Sequence, residues 1–177
     1  MSARRTSFHF PREAVTQLCK IQARARYAEA ADIIRASIVA YDILLDIAAD
    51  YKIIVRSADG RVWPYSLFRP FTYPGIEELR TREVSNEVTA RFPKNFFFSG
   101  DAVARLESIK LRCHVHSNSD VIRTSLSCFD ELTSVEAVGD DVVIRGSDKG
   151  EWLFNPYTPR RPVAVAPDLI HAAPALV

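Results

Sequence analysis

Apolar and polar residues alternate in a short stretch near the start of the chain. Phe8 and Phe10 flank His9, and Ser7 and Arg5 share the polar parity of that histidine. Alternation with a period of two is typical of a strand that has one buried face. The pattern therefore predicts a strand whose phenylalanines face the core and whose polar residues face away from it.

Helical spacing follows this strand. Apolar residues separated by three and four positions form a stripe along each of two successive segments, which predicts two amphipathic helices. The stripes are Val15, Leu18 and Ile21, and then Ile34, Ile38, Tyr41 and Leu45. Two short apolar runs around a turn signal come next, in KIIVRSADGRVWPY, and predict a β-hairpin.

The same order of elements occurs a second time. A shift of 88 residues aligns the segment from Thr6 to Tyr51 with a later segment without a gap, and it pairs Asp32 with Asp120. A shift of 89 residues then aligns the hairpins, in which Trp63 meets Trp152. Similarity sustained over this length indicates an internal duplication.

The duplication predicts the organisation of the whole chain. A first copy with its hairpin covers 1–65, and a second copy with its hairpin covers 91–157. Residues 66–90 between them contain prolines and aromatics, and we expect a linker that packs partly through the aromatics. Residues 158–177 are rich in Pro and Ala without any period, which is typical of a flexible tail.

Composition and charge narrow the class of protein. Apolar residues make up 47% and charged residues 25% of 177 residues, a normal balance for a globular protein. The net charge of +1 means that contact with nucleic acid would depend on local clusters of basic residues. No apolar run approaches the roughly 20 residues that span a bilayer, and the first residues do not resemble a secretory signal. Three cysteines form no even framework, so we expect a reducing, cytoplasmic location.

Each copy resembles the ribbon-helix-helix family of small DNA-binding proteins. The resemblance lies in the order strand, helix, turn, helix and in the run SDVIRTSL that opens a second helix. It implies an α+β fold in which two units intertwine, with a two-stranded antiparallel ribbon, four helices and an appended hairpin after each copy. Because both units sit in one chain, the expected form is a single-chain pseudo-dimer that is a monomer in solution.

The resemblance also implies which strand positions read DNA, since family members insert the ribbon into the major groove. In the first copy the outward positions are Arg5, Ser7 and His9, and Arg4 adds charge beside them. In the second copy Asn95 is the normal base reader.

The second copy departs from this pattern at its other outward positions. Pro93 and Phe97 offer no hydrogen-bonding side chain, and Phe97 is better explained by packing against the linker or a protein partner. Arg91 and Lys94 flank the second strand as candidates for phosphate contact, with simple solvation as the alternative. We therefore expect the two strands to contribute unequally.

A second kind of contact is implied at the start of each copy's second helix, where free N–H groups can hold a phosphate. Ser117 and Asn118 open that helix in the run SNSD, which predicts a helix cap. The first copy has Glu29 at the equivalent place, and its carboxylate would repel a phosphate.

The remaining polar residues predict no catalytic chemistry and no cofactor. CHVH at 113–116 contains two metal-binding residue types, but one short cluster is too few ligands for zinc, and we interpret Cys113 as a core thiol at a helix end. Arg35 with Asp42 and Arg123 with Asp130 recur at the same spacing, and we interpret them as structural, with pairing between the copies as one arrangement.

The sequence thus favours a sequence-specific double-stranded DNA-binding protein, as a transcriptional repressor or an accessory factor in plasmid transfer. The alternative is a protein-interaction module that keeps the fold but no longer reads DNA and binds its partner through the Phe97 region or the linker.

Overall fold

The computed structural model describes residues 6–10, 12–25, 27, 29–69, 73, 95–147 and 150–159. The first copy forms β1 (Thr6–His9), α1 (Arg12–Ala25), α2 (Ala30–Ile47), β2 (Lys52–Arg56) and β3 (Val62–Tyr65). The second forms β4 (Asn95–Phe98), α3 (Gly100–Cys113), α4 (Asn118–Ala137), β5 (Asp141–Arg145) and β6 (Glu151–Leu153). The predicted α+β class and both predicted hairpins are confirmed.

β1 and β4 form a two-stranded antiparallel sheet. Phe8 lies opposite Phe96, which is the residue 88 positions after it, and Ser7 and His9 lie opposite Phe97 and Asn95. The register is therefore symmetric about the Phe8–Phe96 pair: exchanging the two copies leaves the pairing unchanged.

The two hairpins pair with each other in a four-stranded antiparallel sheet of order β3-β2-β5-β6. Ile54 lies opposite Val143, the residue 89 positions after it, so this sheet is also symmetric about its centre. Pro64 lies on the edge strand β3, where a missing N–H costs no ladder hydrogen bond. The sequence predicted each hairpin, but it did not predict that β2 and β5 pair and join the two hairpins in one sheet.

The helices of both copies share one hydrophobic core. α2 and α4 pack against each other, and Ile34, Tyr41, Ile122 and Phe129 from these helices are almost completely buried. Ser37 and the equivalent Ser125 are buried as well. The hydroxyl of Ser37 donates to Ile34 O at 2.9 Å, and that of Ser125 donates to Ile122 O at 3.0 Å, so neither polar group is left unpaired in the core.

Two ion pairs join the copies symmetrically. Arg24 on α1 pairs with Asp130 on α4, and Arg112 on α3 pairs with Asp42 on α2. Arg112 also pairs with Asp46 at 2.6 Å. The interpretation of Asp42 and Asp130 as structural residues that pair between the copies agrees with these contacts.

Arg35 and Arg123 do not take part in that pairing. Each binds an aspartate three residues earlier in its own helix, Asp32 and Asp120 respectively, and both guanidinium groups remain largely exposed. The sequence interpretation of these two arginines as partners between the copies was therefore wrong. A residue in the first turn of a helix is close to its neighbour three positions away, whereas Asp42 and Asp130 lie two turns further along.

The start of the predicted linker packs on the sheet. Leu67 is buried, and Tyr73 is buried with its ring 4.8 Å from that of Trp63. The Tyr73 hydroxyl donates to a carboxylate oxygen of Asp140. The rest of the linker, 70–72 and 74–90, and the tail from 160 onward lie outside the described residues. Among those that are described, no helix combines the length and apolar character needed to cross a membrane.

Candidate nucleic-acid interface

The paired strands β1 and β4 bring three of the predicted base-reading positions together. Phe96 and Phe98 are buried against the helices, and successive strand residues alternate between the two faces of a sheet. Position 97 and position 95 therefore belong to the other face. In the antiparallel register Ser7 lies opposite Phe97, and His9 lies opposite Asn95.

This pairing has a consequence for the predicted asymmetry of the two copies. In this register His9 lies opposite Asn95, and Ser7 lies opposite Phe97. Polar residue types therefore occupy three of these four positions, two of them in the first copy. The predicted contacts at Arg4, Arg5, Arg91 and Lys94 lie outside the described residues.

The N-terminus of α4 has the predicted cap. Ser117 is extended, and its hydroxyl oxygen accepts a hydrogen bond from the Asp120 N–H at 3.1 Å. The same hydroxyl donates to a carboxylate oxygen of Asp120 at 2.6 Å. The first four N–H groups of a helix lack a partner within the helix, and the cap supplies an acceptor for one of them.

Asn118 makes a contact that the sequence did not predict. Its amide Nδ2 donates to Glu107 on α3 at 2.8 Å, and its Oδ1 is buried with no partner. Lys110 and Asn118 bind the carboxylate of Glu107 and lower its pKa, so Glu107 stays ionised beside the start of α4. The side chain of Asn118 is thus held by α3. Its backbone N–H belongs to the first turn of α4, where N–H groups can contact a phosphate.

The N-terminus of α2 lacks a side-chain cap. Glu29 takes the extended conformation of a cap residue, but its side chain accepts no hydrogen bond from the helix, and the residue is exposed. Its backbone carbonyl accepts from the N–H groups of Asp32 at 3.2 Å and Ile33 at 3.4 Å. The two second helices therefore begin in different ways, as the sequence predicted.

Arg35 and Arg123 are candidate contact residues that the sequence reasoning missed. Each lies one turn into a second helix, and each forms an exposed ion pair with an aspartate of its own helix. Arg35 also lines a groove of about 210 Å³ together with Phe96 and Ser99, so it lies close to the β1–β4 sheet. The sequence did contain a signal for this role, because Arg35 and Arg123 occupy the same position in the two copies. That recurrence was interpreted as ion pairing with Asp42 and Asp130 instead.

The CHVH run does not belong to a metal-binding cluster in the part of the chain that the structure describes. Groups of three or more His, Cys, Asp or Glu side chains able to hold a metal ion are absent there. Cys113 is the last residue of α3, and His114 ends the helix in the left-handed conformation with φ 54°. The residues of the CHVH run are thus the C-terminal end of α3 and its turn.

Comparison with protein-family models, with curated proteins and with solved structures finds no match to this chain.

Proposed function

We propose that this protein is a sequence-specific double-stranded DNA-binding protein of the ribbon-helix-helix type. Its two copies would form a single-chain pseudo-dimer, with β1 and β4 as the ribbon that enters the major groove. A repressor or an accessory factor at a plasmid transfer origin is the kind of role that such a protein would have.

The observation that carries this proposal is the register of β1 and β4. Two strands from different copies pair symmetrically about Phe8 and Phe96, and Phe96 and Phe98 of β4 are buried. The major groove admits a two-stranded ribbon, and three of the four central outward positions of this one, all except Phe97, carry polar residue types. The free N–H groups at the start of α4 would supply a phosphate contact on such a surface.

A protein-interaction module is the second candidate. It is favoured by the carboxylates of Glu29, exposed at the start of α2, and Glu107, which lies beside the start of α4. Negative charge at these two places opposes the approach of phosphates. This candidate predicts an interaction that does not weaken strongly with salt.

The test is selection of binding sites from a pool of randomised duplexes, followed by titration of the selected duplex at several salt concentrations. We expect one preferred sequence and an affinity that falls with salt with a log–log slope of about −0.9 per phosphate contacted. Arg5→Ala should weaken the selected site by about tenfold and relax base preference in one half-site, because a bidentate base contact gives roughly 1–3 kcal/mol of discrimination.

Two control variants distinguish recognition of bases from general electrostatic attraction to DNA. Arg61→Ala removes an exposed arginine from the β2–β3 turn, at the end of the other sheet, and should leave DNA binding unchanged. Phe97→Ala should leave base preference intact, since the phenyl ring has no hydrogen-bonding group. A preferred site that is a perfect palindrome read equally by both halves would contradict the expected asymmetry, and the absence of any preferred duplex would favour the interaction module.

A further inference from the structure

The two edges of the four-stranded sheet differ at one backbone position. β3 and β6 are the edge strands, and no described strand pairs with the outer side of either. The shift of 89 residues that aligns the hairpins pairs Pro64 of β3 with Leu153 of β6. This symmetric sheet therefore has a proline at one edge and a leucine at the equivalent place on the other.

The backbone of Leu153 points away from β5. Phe154 donates its N–H to Val142 O at 2.8 Å, so these two residues form a hydrogen-bonded pair of the ladder. Opposite residues in an antiparallel ladder alternate between bonded and non-bonded pairs. Leu153 and Glu151 thus belong to non-bonded pairs, and their N–H and C=O groups lie on the open side of β6.

Pro64 closes the equivalent edge. Ser57 donates to Arg61 O at 3.0 Å, and the same alternation places Pro64 in a non-bonded pair with its backbone outward. Proline has no N–H, and it is one of the residues by which natural proteins prevent an edge strand from pairing with another chain. The edge of β6 therefore offers an N–H donor at Leu153, where β3 has none.

The charge on β6 is balanced within the sheet. Glu151 forms ion pairs with Arg145 at 2.7 Å and with Arg56 at 2.8 Å. Hydrogen bonds and charge from Arg145 and Arg56 lower the pKa of Glu151. An exposed charge protects many edge strands from pairing. Because two arginines already contact Glu151, its carboxylate opposes an approaching strand less than a solitary carboxylate would.

An apolar row crosses the outer face of the sheet and ends at this edge. Val142 belongs to the hydrophobic core, so Val143 lies on the opposite face. The register places four apolar residues side by side on that face: Pro64, Ile54, Val143 and Leu153. Val143 is buried, whereas Leu153 is 68% exposed. The row therefore stops at an exposed leucine beside the open backbone groups of β6.

We propose that β6 pairs antiparallel with β6 of a second copy of this chain, about a two-fold axis at Leu153. This register brings two Leu153 side chains together and continues the apolar row from one sheet into the other. It places Trp152 opposite Phe154 of the second copy, and Glu151 opposite the neutral Asn155, so no like charges meet. The side chain of Asn155 accepts hydrogen bonds that hold a turn, and the pairing ends there.

The length of the contact sets its strength. Residues 151–155 of two chains bury much less surface than the roughly 1,200–2,000 Å² of a stable interface. The chain is therefore a monomer at low micromolar concentration and forms this dimer with a dissociation constant of about 0.1–1 mM. Because Pro64 closes the other edge, association stops at two molecules.

Pairing at β6 leaves the β1–β4 sheet free. The start of α2 lies beside β4, since Ile34 and Phe96 line the same groove, and β2 follows the other end of this helix. With 18 residues, α2 is about 27 Å long. The four-stranded sheet is thus about one helix length from β1 and β4, so both ribbons of the dimer stay open to DNA. This consequence rests on the proposed function, whereas the pairing itself is measured without DNA.

The test compares the full chain at about 0.02 mM and about 1 mM, by sedimentation equilibrium and by amide chemical shifts. We expect the molar mass to rise from near 19.9 kDa towards twice that value, and the shifts that change with concentration to map to 151–155. A mass that stays at the monomer value overturns the proposal. Association whose shifts map elsewhere, such as around the exposed Phe68 or Leu111, overturns it as well.

Leu153→Pro copies one edge onto the other and gives the decisive comparison. Trp152 then precedes a proline, as Trp63 does in β3, and no ladder hydrogen bond within the sheet is lost. The variant should weaken association by at least about tenfold, because the two central hydrogen bonds of the dimer disappear. Leu153→Lys keeps the N–H but places like charges opposite each other, and it should also weaken association.

Leu111→Ala is the matched control, since it removes another exposed leucine, on α3, and should leave association unchanged. Unchanged association of Leu153→Pro contradicts the proposal, as does unchanged association of Leu153→Lys if the proline variant does not fold. Equal weakening by Leu111→Ala and Leu153→Pro would show non-specific association and also contradict it.

Discussion

Arg24 on α1 and Asp130 on α4 form an ion pair between the two copies, and their side chains are only 10% and 16% exposed. The guanidinium also lies within hydrogen-bonding distance of the hydroxyl of Thr133, at 3.5 Å. Its symmetric equivalent, Arg112 with Asp42, is more open, at 33% and 20%. The same contact thus occurs twice in one molecule at two degrees of burial.

We expect the more buried pair to matter more for stability. Asp130→Asn leaves Arg24 without its charged partner and should lower the free energy of unfolding by about 2 kcal/mol or more, between the values for surface and buried pairs. Asp42→Asn should cost about 1 kcal/mol or less. Urea unfolding of both variants measures the difference, and Asp32→Asn, which breaks an exposed contact within α2, is the control. Equal costs for Asp130→Asn and Asp32→Asn would contradict this ranking.

The second prediction concerns the dependence of each copy on the other. Ile34, Tyr41, Ile122 and Phe129 form one core from helices of both copies, so a fragment of residues 1–69 exposes its half of that core. Exposed apolar faces of this size either associate or prevent folding. Light scattering and circular dichroism of the fragment should therefore find an unfolded chain or a dimer. Mixing it with a fragment that starts at residue 91 should restore helical signal, whereas a stable folded monomer of 1–69 would refute the shared core.

The intact chain should be a monomer at low micromolar concentration, because each molecule already contains both strands and all the helices that close this core. A molar mass by light scattering close to 19.9 kDa is the expected result. A mass near twice that value, unchanged on dilution, would contradict it.

Local patterns explain which parts of this fold could be predicted from the sequence. The helix that Ser117 caps and the stripe containing Ile34 depend on residues a few positions apart, so their periodicity and capping chemistry are visible in the chain itself. The contact of Ile54 with Val143 joins two hairpins that are far apart in sequence, and no local signal encodes it.

The same limit applies to the candidate sites. The contact of Asn118 with Glu107 depends on how α3 and α4 meet, so the sequence alone predicted Asn118 as a DNA contact and not as a partner of Glu107. The duplication is visible as similarity between the copies, whereas this contact joins two positions at which the copies differ.

Two glutamates should respond to pH with opposite sign. Burial raises the pKa of Glu136 above 4.5, against the opposing effect of a hydrogen bond from Tyr157, and no described residue forms a hydrogen bond with its buried Oε2. Lys110 and Asn118 lower the pKa of Glu107. A raised carboxyl pKa means that the folded state holds the proton more tightly, so stability falls as pH rises above 4.5 towards the folded pKa. A lowered pKa adds stability above 4.5 that is lost as pH falls through the folded pKa.

Glu136→Gln should therefore raise the melting temperature near neutral pH, and Glu107→Gln should lower it. Both differences from the parent should shrink as the pH falls below the folded and unfolded pKa values of each carboxyl, where the carboxyl is protonated in both states. Thermal unfolding of the three proteins across this range is the measurement. Shifts of the same sign for both variants at neutral pH would show that loss of charge is not their cause.

The last prediction separates a structural cap from a phosphate contact. Ser117 caps α4 by accepting from Asp120 N–H at 3.1 Å, and Ser99 caps α3 by accepting from Ala102 N–H at 3.4 Å. Each serine-to-alanine change removes one cap and should cost about 1 kcal/mol of stability. The proposed phosphate contact lies only at the start of a second helix, so Ser117→Ala should weaken DNA binding and Ser99→Ala should not.

The expected loss for Ser117→Ala is uniform over DNA sequences, because a phosphate contact positions the protein without reading bases. Titration of the selected duplex and of a scrambled duplex with both variants, at a temperature where each is fully folded, measures this directly. Equal losses for the two variants would assign the effect to stability alone. A loss confined to the selected duplex would instead make Ser117 part of base recognition, and the start of α4 would then have to lie at the edge of the groove and not on the backbone.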